Sequence, residues 1–209
     1  MTAAETAQTQ GQARRDERRA TVLSIVEQQL RAGATYVATV VAEAGISRST
    51  FYAYFVDKTT LLRTWYAEFT EVILDAAQEW WSLDGTATKG DVRAALERIT
   101  DSYRAHPELM AATHEAIGTD HGVREAVDDA MRRYIDGLAA HIATGQDGGY
   151  VDPSLPAAET AYWVQWMAER GLHRMVRTDR GFSSQRLTEA YGNIVWNTLY
   201  APTRRDIGN

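Results

Sequence analysis

Apolar residues recur at intervals of three or four positions along most of the chain, and this spacing predicts amphipathic α-helices. The pattern gives helices at about residues 14–32, 37–44, 48–54, 91–105, 108–118, 123–144, 157–177 and 184–200, with a further helix of about 25 residues after Asp57. No segment alternates apolar and polar residues over the length of a strand, and no internal repeat is visible. The expected fold class is therefore all-α.

The helix after Asp57 has the most continuous apolar face. We expect its inner stripe to consist of Leu62, Trp65, Phe69, Val72, Ala76 and Trp80. Two positions in the sequence are expected to separate the later helices from one another. Pro107 can occupy a helix start, and the segment GQDGGYVDPSLP, residues 145–156, interrupts the helical pattern.

These helices group into domains of unequal size. Residues 1–13 are rich in Thr, Ala and Gln and predict a flexible arm. Residues 14–56 hold three helices, of which the last two are short, and residues 57–209 form a larger helical domain. The N-terminal domain is therefore a three-helix module, and the second domain is the larger of the two.

The segment GISRSTFYAYF, residues 45–55, predicts the second half of a helix-turn-helix motif. Gly45 suits a turn because a positive φ costs glycine little. Ser47 can cap the next helix, whose free N-terminal amides attract a phosphate. Phe51 and Phe55 lie four residues apart and are expected to face inward. The outer face of this helix can then enter the major groove of DNA.

The candidate DNA contacts lie at the N-termini or on the outer faces of the predicted helices. They are Ser47, Arg48, Ser49, Thr50, Tyr52, Tyr54, Lys58, Arg14 and Arg15. The hydroxyl and cationic groups can bind phosphates or base edges, and loss of Lys58 is expected to weaken binding to every sequence. The alternative is an ordinary solvated surface.

Charge is divided unevenly along the chain. The formal net charge is -6, made up of +1 in residues 1–62 and -7 in the remainder. An acidic body weakens non-specific attraction to DNA, while a local basic patch can still bind phosphates. The chain lacks cysteine, a signal-peptide pattern and any apolar run near 18 residues, so we expect a cytoplasmic protein without a membrane partner.

The segment VATVVAEAGISRSTFYAYFVDKTTLL, residues 37–62, resembles the DNA-binding signature of the TetR family of transcriptional regulators. The matching positions are Gly45, Ser47, Thr50, Phe51, Tyr52, Phe55 and Lys58. The resemblance implies a double-stranded DNA operator, a ligand-binding second domain and a homodimer built on the last two helices. Repression that is relieved by a ligand is the usual behaviour of this family.

The segments WVQWMAERGL, residues 163–172, and NIVWNTLYA, residues 193–201, are similar to the EthR-like branch of this family. That branch implies a long apolar channel for a hydrophobic small-molecule effector and no cofactor. Positions that match the branch are Ile99, Tyr103, Tyr134, Gln165, Trp166, Glu169 and Trp196. Helical spacing adds Met110, Leu138 and Met167 as lining candidates. Each of these residues could instead belong to an ordinary core.

The last two predicted helices carry apolar stripes suited to a four-helix bundle between two subunits. On the preceding helix the stripe is Ala161, Val164, Ala168, Leu172 and Val176. On the last helix it is Leu187, Tyr191, Ile194, Thr198 and Leu199. The predicted interface residues are Val164, Leu172, Leu187, Tyr191, Ile194 and Thr198. The same stripes could pack inside one subunit.

The rival function is a helical lipid-binding protein or an enzyme without specific DNA binding. The five histidines lack metal-ligand spacing, and no phosphate loop or nucleophile motif occurs in the sequence. The helix-turn-helix motif therefore favours a transcriptional regulator over an enzyme, with no catalytic residues and no metal.

Overall fold

The computed structural model describes residues 14, 17–18, 20–26, 28, 41–54, 58–177 and 183–201, without the side chains of residues 52–54, 58, 175–177 and 184. The chain divides into two compact units, Met1–Trp65 and Tyr66–Asn209. Every regular element within the described ranges is helical, which confirms the all-α prediction.

Residues 20–26 and 41–43 are helical in the first unit. The later helices are α1 Arg48–Tyr54, α2 Lys58–Trp81, α3 Lys89–Ala105, α4 Pro107–Ile117, α5 His121–Asp147, α6 Ala157–Arg177 and α7 Ser184–Leu199. Their ends lie within three residues of the predicted ones, and α5 continues into the segment expected to break it. None of the helices in the part of the chain described is long and apolar enough to cross a membrane.

The first unit has a small apolar core. Its buried side chains are Val22, Leu23, Val26, Phe51, Leu61, Leu62 and Trp65. Val22, Leu23 and Val26 share one face of the first helical segment because they are spaced by one, three and four positions. Phe51 brings α1 into the same set of buried residues, as its spacing predicts.

The inner stripe of α2 departs from the predicted one in its second half. Val72 is 49% exposed, whereas Ile73 is 6% exposed and Ala77 is fully buried. The prediction of Val72 is therefore wrong, and Ala76 is only half-buried. The stripe advances by four residues from Phe69 to Ile73 and again to Ala77, which is one of the two steps that a helix of 3.6 residues per turn allows.

Side chains and one proline fix the starts of the middle helices. Thr88 and Asp91 form a capping box at α3, in which the Thr88 backbone N–H donates to Asp91 Oδ2 at 2.7 Å. Asp120 Oδ1 accepts from the Val123 backbone N–H at 2.9 Å at α5. Pro107 is the first residue of α4, as predicted. These local contacts explain why the helix boundaries are readable from sequence.

In the second unit α5 packs along α6, and α3 packs along α7. A buried hydrogen-bonded chain joins α2, α5 and the end of α7. His141 Nδ1 donates to the Trp81 carbonyl at 3.0 Å, so its Nε2 accepts from the Tyr200 hydroxyl at 2.7 Å. The Trp80 indole N–H donates to the same hydroxyl oxygen at 2.9 Å. Burial lowers the pKa of His141, which favours this neutral form.

Candidate functional site

The first candidate site is the surface formed by residues 41–51. The helical residues 41–43 end in a turn at Gly45, whose φ is +61°. The Gly45 N–H donates to the Ala42 carbonyl at 3.3 Å and the Ile46 N–H donates to the Val41 carbonyl at 3.1 Å, and α1 follows directly. This order of helix, turn and helix confirms the predicted helix-turn-helix motif.

Ser47 caps α1 and holds two neighbouring hydroxyl groups. Its Oγ accepts from the Thr50 backbone N–H at 3.0 Å and lies 2.7 Å from Ser49 Oγ and 2.8 Å from Thr50 Oγ1. A serine hydroxyl has one proton and two lone pairs, so these three contacts use its full capacity. The Ser47 hydroxyl is therefore occupied by the cap, while Ser49 and Thr50 keep hydrogen-bonding capacity for another partner.

The predicted DNA contacts that the structure describes are mostly exposed to solvent. Ser47, Arg48, Ser49 and Arg14 are exposed, and Thr50 is half-buried. Phe51 beside them is 3% exposed, so the exposed side chains described on α1 belong to its first turn. The side chains of Tyr52, Tyr54 and Lys58 and the whole of Arg15 lie outside the described residues. Their roles stay predictions.

Substituting Ser47 separates capping from DNA binding. We expect Ser47→Ala to lower the free energy of unfolding by about 0.5–2 kcal/mol, because the N-cap is lost. We expect Ser47→Asp to keep the stability, since aspartate caps equally well, yet to weaken DNA binding, because its charge repels phosphates. Urea unfolding and DNA titration at one salt concentration measure both. If Ser47→Asp binds DNA like the unsubstituted protein, α1 does not approach a phosphate at its N-terminus.

The second candidate site is a cavity in the second unit, enclosed by α2, α3, α5 and α6. Its lining residues are Tyr66, Phe69, Thr70, Ile73, Leu74, Tyr103, Ala130, Met131, Tyr134 and Gln165. The cavity has about 20 Å³ of free space. That is close to the room needed for one water molecule, roughly 10–15 Å³ by the same measure. A drug-sized ligand would have to displace lining side chains.

Three tyrosines, one threonine and one glutamine supply the polar side chains of this cavity. Burial raises the pKa of Tyr66, Tyr103 and Tyr134 above the ordinary value for a phenol, so all three are neutral at physiological pH. The Gln165 amide donates to the Met131 sulfur at 3.4 Å, a weak bond that a better acceptor could replace. The cavity therefore combines apolar walls with several neutral hydrogen-bonding groups.

The structure brings three of the predicted effector residues together at this cavity, namely Tyr103, Tyr134 and Gln165. Others are buried outside its lining: Ile99, Met110 and Leu138. Trp166, Glu169 and Trp196 are partly buried. Tyr66, Phe69 and Met131 also line the cavity but are not among the effector residues predicted from the sequence. Of these three residues, Phe69 could have been predicted to face the interior, because it belongs to the predicted inner stripe of α2.

A third feature is an open groove of about 660 Å³ on α6, α7 and the loop before α6. Its lining residues are Leu155, Pro156, Glu159, Thr160, Trp163, Val164, Met167, Ile194 and Thr198. Large apolar side chains are exposed in and around it, including Trp163 at 72%. An exposed apolar surface of this kind is typical of an interaction site.

The predicted dimer residues occupy different environments. Ile194 and Thr198 line the groove, and Leu187 is exposed on the same helix. Val164 lines the groove but is 6% exposed, and Leu172 is buried. Tyr191 is half-buried, and burial raises the pKa of its hydroxyl. The exposed apolar residues that the predicted stripes omitted are Tyr162, Trp163 and Met167, of which Met167 had been a lining candidate for the cavity.

Two family models match this chain. The model described as bacterial regulatory proteins, tetR family, matches residues 32–64, which contain the helix-turn-helix motif. The model described as transcriptional regulator EthR, C-terminal domain, matches residues 92–201, just over half of the chain. The chain belongs to the TetR family of transcriptional regulators. Its second domain is EthR-like, and its helix-turn-helix motif lies within the segment that matches the tetR family model.

Individual relatives agree with this assignment. The regulator is 24% identical over 162 residues to the HTH-type transcriptional regulator EthR of Mycolicibacterium smegmatis, covering 75% of this chain and 73% of the relative. It shares its fold with a transcriptional regulator from Saccharomonospora viridis in complex with choline, with a TM-score of 0.70, 17% identity and coverage of 88% and 98%. It also shares its fold with FadR from Bacillus subtilis in complex with stearoyl-CoA, with a TM-score of 0.64, 12% identity and coverage of 83% and 95%.

Proposed function

We propose that this TetR-family regulator is a homodimeric repressor that binds a palindromic operator and leaves it when a hydrophobic small molecule occupies the cavity. The observation that carries the proposal is the exposed first turn of α1, capped by Ser47 directly after the positive-φ turn at Gly45. It offers cationic, hydroxyl and amide groups within one helical turn, which is the chemistry that reads a major groove.

The groove on α6 and α7 supports the homodimer. Its exposed Trp163, Met167 and Ile194 supply aromatic and aliphatic anchors of the kind that dominate protein interfaces. A second copy of the chain would present the same groove, as a two-fold interface requires. Such a dimer would hold two helix-turn-helix motifs for two half-sites about 34–36 Å apart, or one turn of DNA.

The cavity supports regulation by an effector. Because its free space is close to that of one water molecule, a larger ligand would favour a conformation in which α2, α3, α5 or α6 has moved. Helix α2 lines the cavity with Tyr66, Phe69 and Ile73 and begins at Lys58, four residues after α1 ends. Choline and stearoyl-CoA, bound by the two structural neighbours, illustrate that this fold accepts small molecules.

A change in α2 would then move the helix-turn-helix motif. To shift the protein from about 99% DNA-competent to about 1%, an effector must prefer the incompetent state by roughly 10⁴-fold, or about 5.5 kcal/mol. Burial of an apolar ligand in the cavity can supply that preference at roughly 25 cal/mol for each Å² removed from water.

Selection from random DNA duplexes at near-physiological salt tests the function directly. A palindrome with half-sites about 10–10.5 base pairs apart is the expected result. Retention of no preferred sequence would contradict the operator proposal, and retention of single half-sites would contradict the homodimer.

Arg48 is an exposed cationic residue in the first turn of α1 and is suited to a direct test. We expect Arg48→Ala to weaken binding to the selected site roughly 5- to 150-fold, because one base-edge contact contributes about 1–3 kcal/mol. The matched control is Arg132→Ala, which removes an arginine that is 63% exposed and paired with Asp129 in the second unit. Fluorescence anisotropy with labelled operator measures both. Equal affinities of the two variants would exclude Arg48 as a DNA contact.

A further inference from the structure

Helix α6 carries a carboxylate one helical turn beyond its residue in the cavity lining. Glu169 follows Gln165 by four residues, so both side chains project from the same face of the helix, and Gln165 lines the cavity. Glu169 Oε2 is buried and has no hydrogen-bond partner among the described residues. A buried carboxylate oxygen in this state is costly, and ligands often satisfy such groups.

The neighbouring Arg170 offsets the negative charge of Glu169 Oε2 only in part. Arg170 Nε lies 3.6 Å from Glu169 Oε2, which is beyond hydrogen-bonding distance, and the Arg170 side chain is 60% exposed. The guanidinium of Arg170 is largely solvated, which weakens its attraction for the buried carboxylate oxygen. The carboxylate therefore keeps its capacity for a cation that approaches from the cavity side.

Aromatic rings line the cavity next to this carboxylate. Phe69 meets Tyr103 edge-on with ring centroids 5.3 Å apart, and Tyr66 lies 6.2 Å from Phe69. The negative charge of Glu169 adds to burial in raising the pKa of Tyr66 and of Tyr103, in agreement with its position one helical turn from Gln165. The face of each ring carries partial negative charge and attracts cations. The carboxylate and the rings thus favour the same kind of ligand.

We propose that the effector carries a cationic head group, such as an ammonium, which binds between the Glu169 carboxylate and the rings of Tyr66 and Tyr103. Its apolar tail extends along Phe69 and Ile73. A neutral head group gains neither the ionic contact nor the full cation–π attraction, and an anionic head group is repelled by Glu169. The inference rests on the proposed function, because it takes this cavity as the effector site.

The cation site is coupled to pH. Burial raises the pKa of Glu169, while the charges of Arg170 and His114 act in the opposite direction. The Glu169 charge in turn raises the pKa of Tyr66 on α2 and of Tyr103 on α3, and His173, four residues further along α6, stacks on His114 with ring centroids 4.2 Å apart. A cation binds the ionised carboxylate, so its affinity increases as pH rises through the pKa of Glu169, whereas the affinity of a neutral ligand does not follow that ionisation.

Calorimetric titration of the full chain with three probes of equal tail length tests the proposal. The probes are octyltrimethylammonium, dimethyloctylamine N-oxide and nonanoate, which each carry an octyl chain and are cationic, neutral and anionic at neutral pH. We expect the cation to bind at least about tenfold more tightly than the N-oxide, equivalent to 1.4 kcal/mol. We expect Glu169→Gln to remove this difference without weakening binding of the N-oxide. The matched control is Glu115→Gln, which changes an exposed carboxyl on α4.

The outcomes separate the two proposals. Equal affinities for the cation and the N-oxide, unchanged in Glu169→Gln, would overturn the cationic head group and leave the effector cavity standing. Binding of none of the probes at millimolar concentration would overturn both. Operator release is measured separately: a cation that binds through Glu169 without releasing DNA supports the cation site and contradicts effector-controlled repression.

Discussion

Replacing Trp80 with alanine is expected to lower the free energy of unfolding of the second unit by about 3–5 kcal/mol. Trp80 is fully buried, so its removal leaves a cavity in a close-packed core. The substitution also removes the donor that binds the Tyr200 hydroxyl, a group that already donates to His141. Urea unfolding followed by circular dichroism measures the change.

Two further variants distinguish the loss of buried volume from the loss of the hydrogen bond. Trp80→Phe retains most of the apolar volume but removes the hydrogen bond, so we expect a smaller loss. Val72→Ala on the same helix changes an exposed side chain and is expected to stay within about 0.5 kcal/mol of the unsubstituted protein. A Trp80→Ala protein as stable as Val72→Ala would contradict the buried position of Trp80.

Replacing Trp163 with glutamate is expected to convert the proposed homodimer into monomers. Loss of a central aromatic anchor costs about 2 kcal/mol or more, and a charge placed in an apolar interface adds to that cost. The dimer dissociation constant should therefore rise at least about 30-fold. Sedimentation velocity over a range of protein concentrations measures it. A monomer can occupy one half-site only, so affinity for the full palindrome should also fall.

The matched control for Trp163→Glu is Val72→Glu, which places the same charge on an exposed apolar position of α2 outside the groove. We expect Val72→Glu to keep the association state of the unsubstituted protein. If Trp163→Glu sediments like Val72→Glu, the groove is not the dimer interface. If both dissociate, the interface extends to α2 or the added charge acts generally.

Local chemistry determined the helix-turn-helix motif and most helix boundaries. The contact that begins α1 joins Ser47 to Thr50, only three residues away, and the turn before it depends on the backbone freedom of one glycine. The start of α4 depends likewise on Pro107. Interactions of such short range are contained within the sequence segment itself, so pattern and residue type were sufficient to predict them.

Only the tertiary structure decided which face of each helix points inward. On helix α6 the residues Ala161, Val164, Ala168 and Leu172 of the predicted stripe are buried within the subunit while Trp163 is exposed. The side chain of Val176, the last residue of that stripe, lies outside the described residues. On α2 the core takes Ile73 instead of Val72. The rotation of a helix about its axis is set by the neighbours it packs against, which lie far away along the chain. For the same reason the sequence determined that aromatic residues were plentiful, but the packing of four helices decided that Tyr66, Tyr103 and Tyr134 would share one small cavity.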